Sequence, residues 1–280
     1  MNDFKNPETL VVAGTIFTAV LGASICLWVL KLSGKLSNED KLSHPPIPWR
    51  NSWLDFWLLV WAAFCAIIAS SILAQRWFPQ QVTEETVSWN VIWYGLSAQF
   101  ALGIVIIGAY FTYKMRWLPP ANERPTLPQV LKFSLSLLIR YLPVIWVATA
   151  IYTFVLKFLD VPLTEQEAIN WFLKMDDPAQ WMVSAFTAII IAPVLEELFF
   201  RRLILNFLAN KIHPTLALLW SSALFAATHF NYQAFVPIFI LGILMGIQYL
   251  RTGDIRGSIL IHALFNGISV LLLGVDRWVF

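Results

Sequence analysis

The sequence predicts an all-α protein, a polytopic membrane bundle of about eight transmembrane helices. Three observations predict it. Hydrophobic residues make up 58% of the chain, charged residues only 13%, and mean hydropathy is +0.66. A soluble domain carries about 25% charged residues, so this chain has too little polar surface to face water. Apolar runs of the length that crosses a bilayer as a helix, about 20 residues, recur between polar connectors. Of the 14 Trp, many stand near the ends of those runs (Trp49, Trp53, Trp77, Trp89, Trp117, Trp181 and Trp278), where aromatic belts form at membrane interfaces.

The runs follow in order. The N-terminus mixes acids with one Lys and lacks a basic start, so 10–32 reads as a retained first span rather than a cleaved signal, and no transit peptide is evident. Spans 53–74 and 88–112 follow. The fourth, 138–158, is interrupted by Arg140 and Pro143, and 127–138 could lie along the interface before the chain turns in. The fifth, 180–208, exceeds a single crossing and ends in Arg201, Arg202 and Lys211, which implies tilt or protrusion. The sixth is 215–231. The seventh, 234–250, contains Gly242-Ile-Leu-Met-Gly246, a GxxxG spacing that reads as close packing inside the monomer rather than dimerisation. The eighth is 257–274. In the connector 159–179, Thr164-Glu-Gln-Glu has the capping-box pattern and precedes a short amphipathic surface helix. No repeat divides the chain, which reads as a single membrane domain over 1–280, with 1–160 free of buried acids.

A net charge of +2 and the lack of a basic tract argue against nucleic-acid binding. Thirteen Lys and Arg fall on the side of the odd-numbered connections and five on the other, with Arg140 unassigned. The positive-inside bias therefore turns both termini away from the cytoplasm. Cys26 and Cys65 lie in apolar runs and read as small buried hydrophobes; two cysteines cannot build a thiolate zinc site.

Polar chemistry concentrates in the C-terminal half. Glu196-Glu197-Leu-Phe-Phe-Arg201 ends a run that otherwise reads as a membrane helix. A charge at the bilayer centre costs roughly 2.5–3.5 kcal/mol unless it is paired or neutralised. Glu197 and Arg201, four apart, share a helix face and can pair. Glu196 is turned about 100° away and is left without that explanation. Pro193 removes a backbone donor and tends to kink the helix, which opens polar space beside the carboxylate. His229 stands four residues after Phe225; alone it could bond a backbone carbonyl. His262 and Asn266 share a face and can donate into one pocket, or serve as helix–helix glue. Converging on one cavity, these groups supply what hydrolysis by water needs. A carboxylate and an imidazole orient and deprotonate water, and two donors stabilise an oxyanion.

The ordered set Glu196-Glu197-x-x-x-Arg201, Phe225-x-x-x-His229 and His262-x-x-x-Asn266 resembles the CPBP family, which comprises the type II CAAX prenyl endopeptidases and the bacteriocin-processing (Abi) intramembrane proteases. The resemblance covers roughly 180–275, which it marks as the protease core, with 1–160 as accessory spans. It implies an eight-helix membrane protease; the sequence itself leaves open whether the membrane is a bacterial inner membrane or an organelle membrane. The substrate it implies is a membrane-associated peptide or protein, lipidated in some members. By the same resemblance Glu196 and His229 activate water, His262 and Asn266 form the oxyanion hole, and Glu197 and Arg201 support them. The glutamate mechanism needs no cofactor. The alternative is zinc held by Glu196, His229 and His262, a His₂Glu set. Two other functions fit such a chain: a catalytically silent scaffold or bacteriocin-immunity-type protein of the same fold, and a transporter with a Glu/His proton relay. The missing inverted repeat counts against the transporter.

Overall fold

A computed structural model describes residues 7–33, 46–48, 52–79, 87–113, 118–120, 124–163 and 167–278. They fold into helices α1 (Pro7–Leu32), α2 (Trp53–Trp77), α3 (Trp89–Tyr113), α4 (Leu127–Phe158) and α5 (Glu167–Lys174), followed by α6 (Pro178–Ala209), α7 (Pro214–Ala227), α8 (Tyr232–Thr252) and α9 (Ile255–Trp278). Among the described residues seven helices are long and apolar enough to cross a membrane, and α7 is a shorter apolar helix. The protein is a multi-pass integral membrane protein.

Three expectations change. The run 127–138 does not lie apart from the fourth span, because α4 is continuous from Leu127 onward. Gln129 Oε1 accepts the backbone N–H of Thr126 at 2.9 Å, which starts the helix there. The sixth run does not continue to 231. α7 ends at Ala227, since Phe230 takes a positive φ of 48° and Asn231 caps α8 by accepting the Ala234 N–H at 2.9 Å. Its 14 residues rise about 21 Å, short of the ~30 Å hydrocarbon core. Cys26 and Cys65 are exposed rather than buried. On the outer face of a membrane bundle the surroundings are hydrocarbon, which a small apolar thiol suits as well as a protein core does.

The amphipathic helix before α6 is α5, whose Phe172 is buried and meets the Trp181 ring at 5.6 Å. The capping pattern at Thr164, the belt residues Trp49 and Trp117, and several of the orienting charges (Lys5, Lys35, Lys41, Arg50, Lys114, Arg116) lie outside the described residues. Arg201 and Arg202 are buried inside α6. They answer to interior partners and are not loop charges, so the orientation bias is smaller than the sequence suggests.

The C-terminal core is α4, α6, α7, α8 and α9 packed together, with α2 and α3 beside α6 and α1 against α4. Arg140 is buried in α4; its Nε donates to Ser136 O at 3.1 Å, and its carbonyl accepts from Ser24 Oγ at 2.9 Å and Trp28 Nε1 at 3.3 Å. That ties α1 to α4. The Phe56 ring of α2 stacks on Phe207 of α6 at 4.2 Å. Gly242 and Gly246 both face α7: added Cβ atoms would stand 3.1 Å from Ser222 Cβ and 2.2 Å from Leu218 Cδ1. The GxxxG spacing thus serves packing within the monomer.

The tightest glycine is Gly257, where a Cβ would come 1.7 Å from Gln248 Nε2 and 2.6 Å from Ser134 Oγ. Gln248 has no room to retreat, being held by Ser258 Oγ at 3.1 Å and Thr252 Oγ1 at 3.2 Å. Gly257→Ala is expected to lower stability by about 1–3 kcal/mol, read as a lower unfolding midpoint in detergent. Gly108→Ala, where the added methyl meets nothing within 4 Å, is expected to leave the midpoint unchanged or slightly raised.

Candidate active site

α6 carries the carboxylates between two π-helical stretches, Thr187–Ile191 and Leu198–Leu205. Such local widenings of an α-helix recur at functional sites. Glu197 is fully buried. Its Oε2 lies 3.1 Å from Arg201 Nε, the i, i+4 pair that the spacing predicts. Its Oε1 lies 3.1 Å from His262 Nδ1 on α9. Glu197 is therefore more than half of an ion pair. It holds an Arg and a His together, and the link to His262 is one that helix geometry on α6 alone could not reveal.

Glu196 is turned to the other side of the same imidazole. Its Oε2 stands 3.9 Å from His262 Nε2, and its side chain keeps 20% of its surface open while Glu197 keeps none. The adjacent carboxylates thus do different things: one is sealed into the packing, the other faces accessible space.

Arg201 is fully buried, and its guanidinium lies over the Phe225 ring at 4.7 Å. The same ring meets His229 at 5.0 Å and His262 at 5.5 Å, edge-on in both cases. Phe225, from α7, is a shared wall for the cation and both imidazoles, a role its place in the motif did not disclose. The cue available in sequence was an aromatic one helical turn before a histidine, which is common in membrane helices.

His229 lies just past the end of α7, half-buried, with Nδ1 2.9 Å from Phe225 O. A carbonyl only accepts, so Nδ1 carries the hydrogen and the neutral ring keeps its lone pair on Nε2. The bond to a backbone carbonyl, one of the two options for this residue, is present. It also fixes the tautomer that can take a proton.

Asn266 is anchored rather than loose. Its Nδ2 donates to Ala188 O at 2.8 Å. The reason lies five residues further along α6. In the π stretch the Ala192 N–H reaches back to Thr187 O. The same register would have residue 193 donate to Ala188 O, but residue 193 is proline and has no N–H. Asn266 supplies the missing donor from α9. Pro193 removes a backbone donor, as expected, and the carbonyl left without it places the amide of the fourth candidate residue.

The structure joins Glu196, Glu197, Arg201 and His262 directly, adds His229 through Phe225, and holds Asn266 on Ala188. Among the described residues no group of three or more His, Cys, Asp or Glu side chains is gathered as a metal would require.

The Pro193–Asn266 relation is testable by a double-mutant cycle. Asn266→Ala leaves the Ala188 carbonyl without its donor and is expected to cost about 1–3 kcal/mol. In a Pro193→Ala background, where residue 193 regains its N–H, the same substitution is expected to cost at least about 0.5 kcal/mol less, measured by chemical denaturation in mixed micelles.

Residues 178–268 match the family model described as Type II CAAX prenyl endopeptidase Rce1-like. The membrane-embedded CAAX protease MroQ of Staphylococcus aureus (strain USA300) is 33% identical over 93 residues, which are 31% of this chain and 37% of that protein. The matched stretch thus spans little more than a third of that relative. An uncharacterized 24.3 kDa protein of Escherichia coli is 26% identical over 224 residues, 76% of this chain and 93% of that protein. No solved structure matches the chain. The resemblance carried by the three motifs stands: residues 178–268 have the pattern of the type II CAAX prenyl endopeptidase Rce1-like family.

Proposed function

We propose that this protein is an intramembrane endopeptidase that hydrolyses a peptide bond of a membrane-associated peptide or protein substrate. The observation that carries the reading is the placement of His262 between a sealed carboxylate, Glu197, and a reachable one, Glu196. The similarity of residues 178–268 to CAAX-type proteases supports it.

In this reading Glu196 and His229 activate the attacking water. Glu196 has the accessible surface, and His229 has an Nε2 lone pair directed by the bond that Nδ1 makes. His262 Nε2 and the second Nδ2 hydrogen of Asn266 donate to the tetrahedral oxyanion. Donation from both nitrogens of His262 needs the doubly protonated ring, and the carboxylates on its two sides balance the charge of that form. Glu197 and Arg201 set the imidazole's position and hold no substrate. The leaving amine takes its proton back from the base that received it, so the cycle closes with one water consumed and no covalent intermediate.

Water has to reach this depth. α7 is too short to cross the bilayer, so at least one of its flanking turns lies below the membrane surface. Non-helical backbone at that depth is tolerated only where protein buries it or where it lines a wet cavity. The turn that bears His229 has Thr228 and Phe230 exposed on it, which suits the wet alternative.

The test is cleavage of quenched peptides carrying a farnesylated cysteine, with unprenylated twins, by the full chain in liposomes. Glu196→Gln and His229→Ala are each expected to reduce kcat by roughly 10²–10⁴-fold without lowering the unfolding midpoint. A chelator is expected to leave the rate unchanged. Cleavage that survives Glu196→Gln refutes the mechanism. Protection of a partner protein that survives both substitutions, with no cleavage, identifies a scaffold instead.

A further inference from the structure

Phe230 has the second of the two positive φ angles found at non-glycine residues among those described, 48°; the other belongs to Asp160. Asp tolerates the left-handed region because its short polar side chain bonds locally. For a bulky aromatic the same conformation is a true outlier. Phe230 is also 93% exposed, above every other exposed large hydrophobic residue of the described chain. Its ring therefore contributes almost nothing to the packing that could offset the strained backbone.

The turn around it is fully tied. Phe230 N–H donates to Ala227 O at 3.1 Å and His229 N–H to Ala226 O at 3.3 Å. Thr228 Oγ1 donates to Phe225 O at 2.8 Å, and Asn231 Oδ1 accepts from Ala234 N–H at 2.9 Å. Tyr152 Oη donates to Tyr232 O at 3.0 Å, and Tyr232 Oη donates to Pro162 O. These bonds hold the main chain in place whatever side chain stands at 230. Glycine or asparagine would meet the backbone's need at lower cost. Strain of this kind persists where the surroundings over-determine it, and it collects at ligand clamps and active sites.

We propose that Phe230 is a specificity-determining residue whose ring packs against the apolar side chain of the substrate residue next to the scissile bond. This rests on the endopeptidase reading above. The assignment to that side chain, rather than to a lipid tail further out, follows from position. Phe230 is the chain neighbour of His229, to which the reading above assigns the attacking water, so its turn borders the place where the scissile bond would lie. The ring projects from the turn instead of lining the bundle interior, which leaves its face open to a substrate side chain.

The experiment compares two quenched farnesylated peptides in liposomes and in detergent micelles, one with aliphatic residues after the modified cysteine and one with serines there. In Phe230→Gly the backbone strain is relieved, so the unfolding midpoint is expected to stay at or above that of the unmodified protein. Cleavage of the aliphatic peptide is expected to lose at least tenfold in kcat/KM, mainly through KM, with less than threefold change for the serine peptide. Phe230→Leu restores most of the loss. Equal kcat/KM for both proteins on the aliphatic peptide overturns the inference. An equal fall on both peptides, confined to liposomes, also overturns it and marks the ring as a membrane anchor. If the unmodified protein cleaves neither peptide nor their unprenylated twins, the endopeptidase reading fails as well, a result distinct from the other two.

Discussion

The site depends on one buried carboxylate. Glu197 has no water to solvate it, and an isolated charge in a low-dielectric interior is penalised by several kcal/mol. The fold answers with Arg201 on the same helix and His262 from α9, each 3.1 Å away. That answer dictates much of the rest. α9 must approach α6 closely enough for an imidazole to reach a carboxylate, and the guanidinium must have a face to lie on, which α7 provides through Phe225. Removing either partner would strip one of the two Glu197 oxygens of the contact that offsets its burial. The supporting pair is thus a condition for the geometry of the reactive groups and not an ornament beside them.

Proline and the π stretch work as a second constraint. A transmembrane helix normally satisfies its own backbone, which is why helices cross membranes at all. α6 breaks that self-sufficiency at Ala188, and a side chain from α9 repairs it. The irregularity fixes the rotation of α9 relative to α6 at the same point where His262 meets the carboxylates. Two independent bonds between the helices, one to a carboxylate and one to a backbone carbonyl, leave little freedom for the side chains between them.

Much of this was legible in sequence, and the parts that were not have physical reasons. The bundle followed from apolar runs, because length and hydropathy act locally. The Glu197–Arg201 pair followed from i, i+4 spacing on one helix. The bond from Glu197 to His262 spans 65 positions, and no periodicity records a contact of that range. The Asn266–Ala188 bond depends on a backbone register that proline permits but does not announce. Cys26 and Cys65 read as buried but are exposed, because hydrophobicity says only that a residue avoids water, and a bilayer lets it do so on the outside. The early end of α7 hinges on the positive φ at Phe230, a conformation that phenylalanine does not advertise.

The carbonyl of Ile47, in the described fragment between α1 and α2, accepts Nδ2 hydrogens from Asn206 at 2.9 Å and Asn210 at 3.1 Å. The first of those donors is 159 positions further along the chain. During synthesis Ile47 emerges and waits while α2, α3 and α4 are delivered to the lipid, and only the arrival of α6 gives it a mate. Assembly of this bundle therefore cannot finish in the order in which its helices leave the ribosome. A truncated chain that stops before α6 would leave the Ile47 carbonyl without either of these donors, so the early connector reaches its final bonding only late in synthesis.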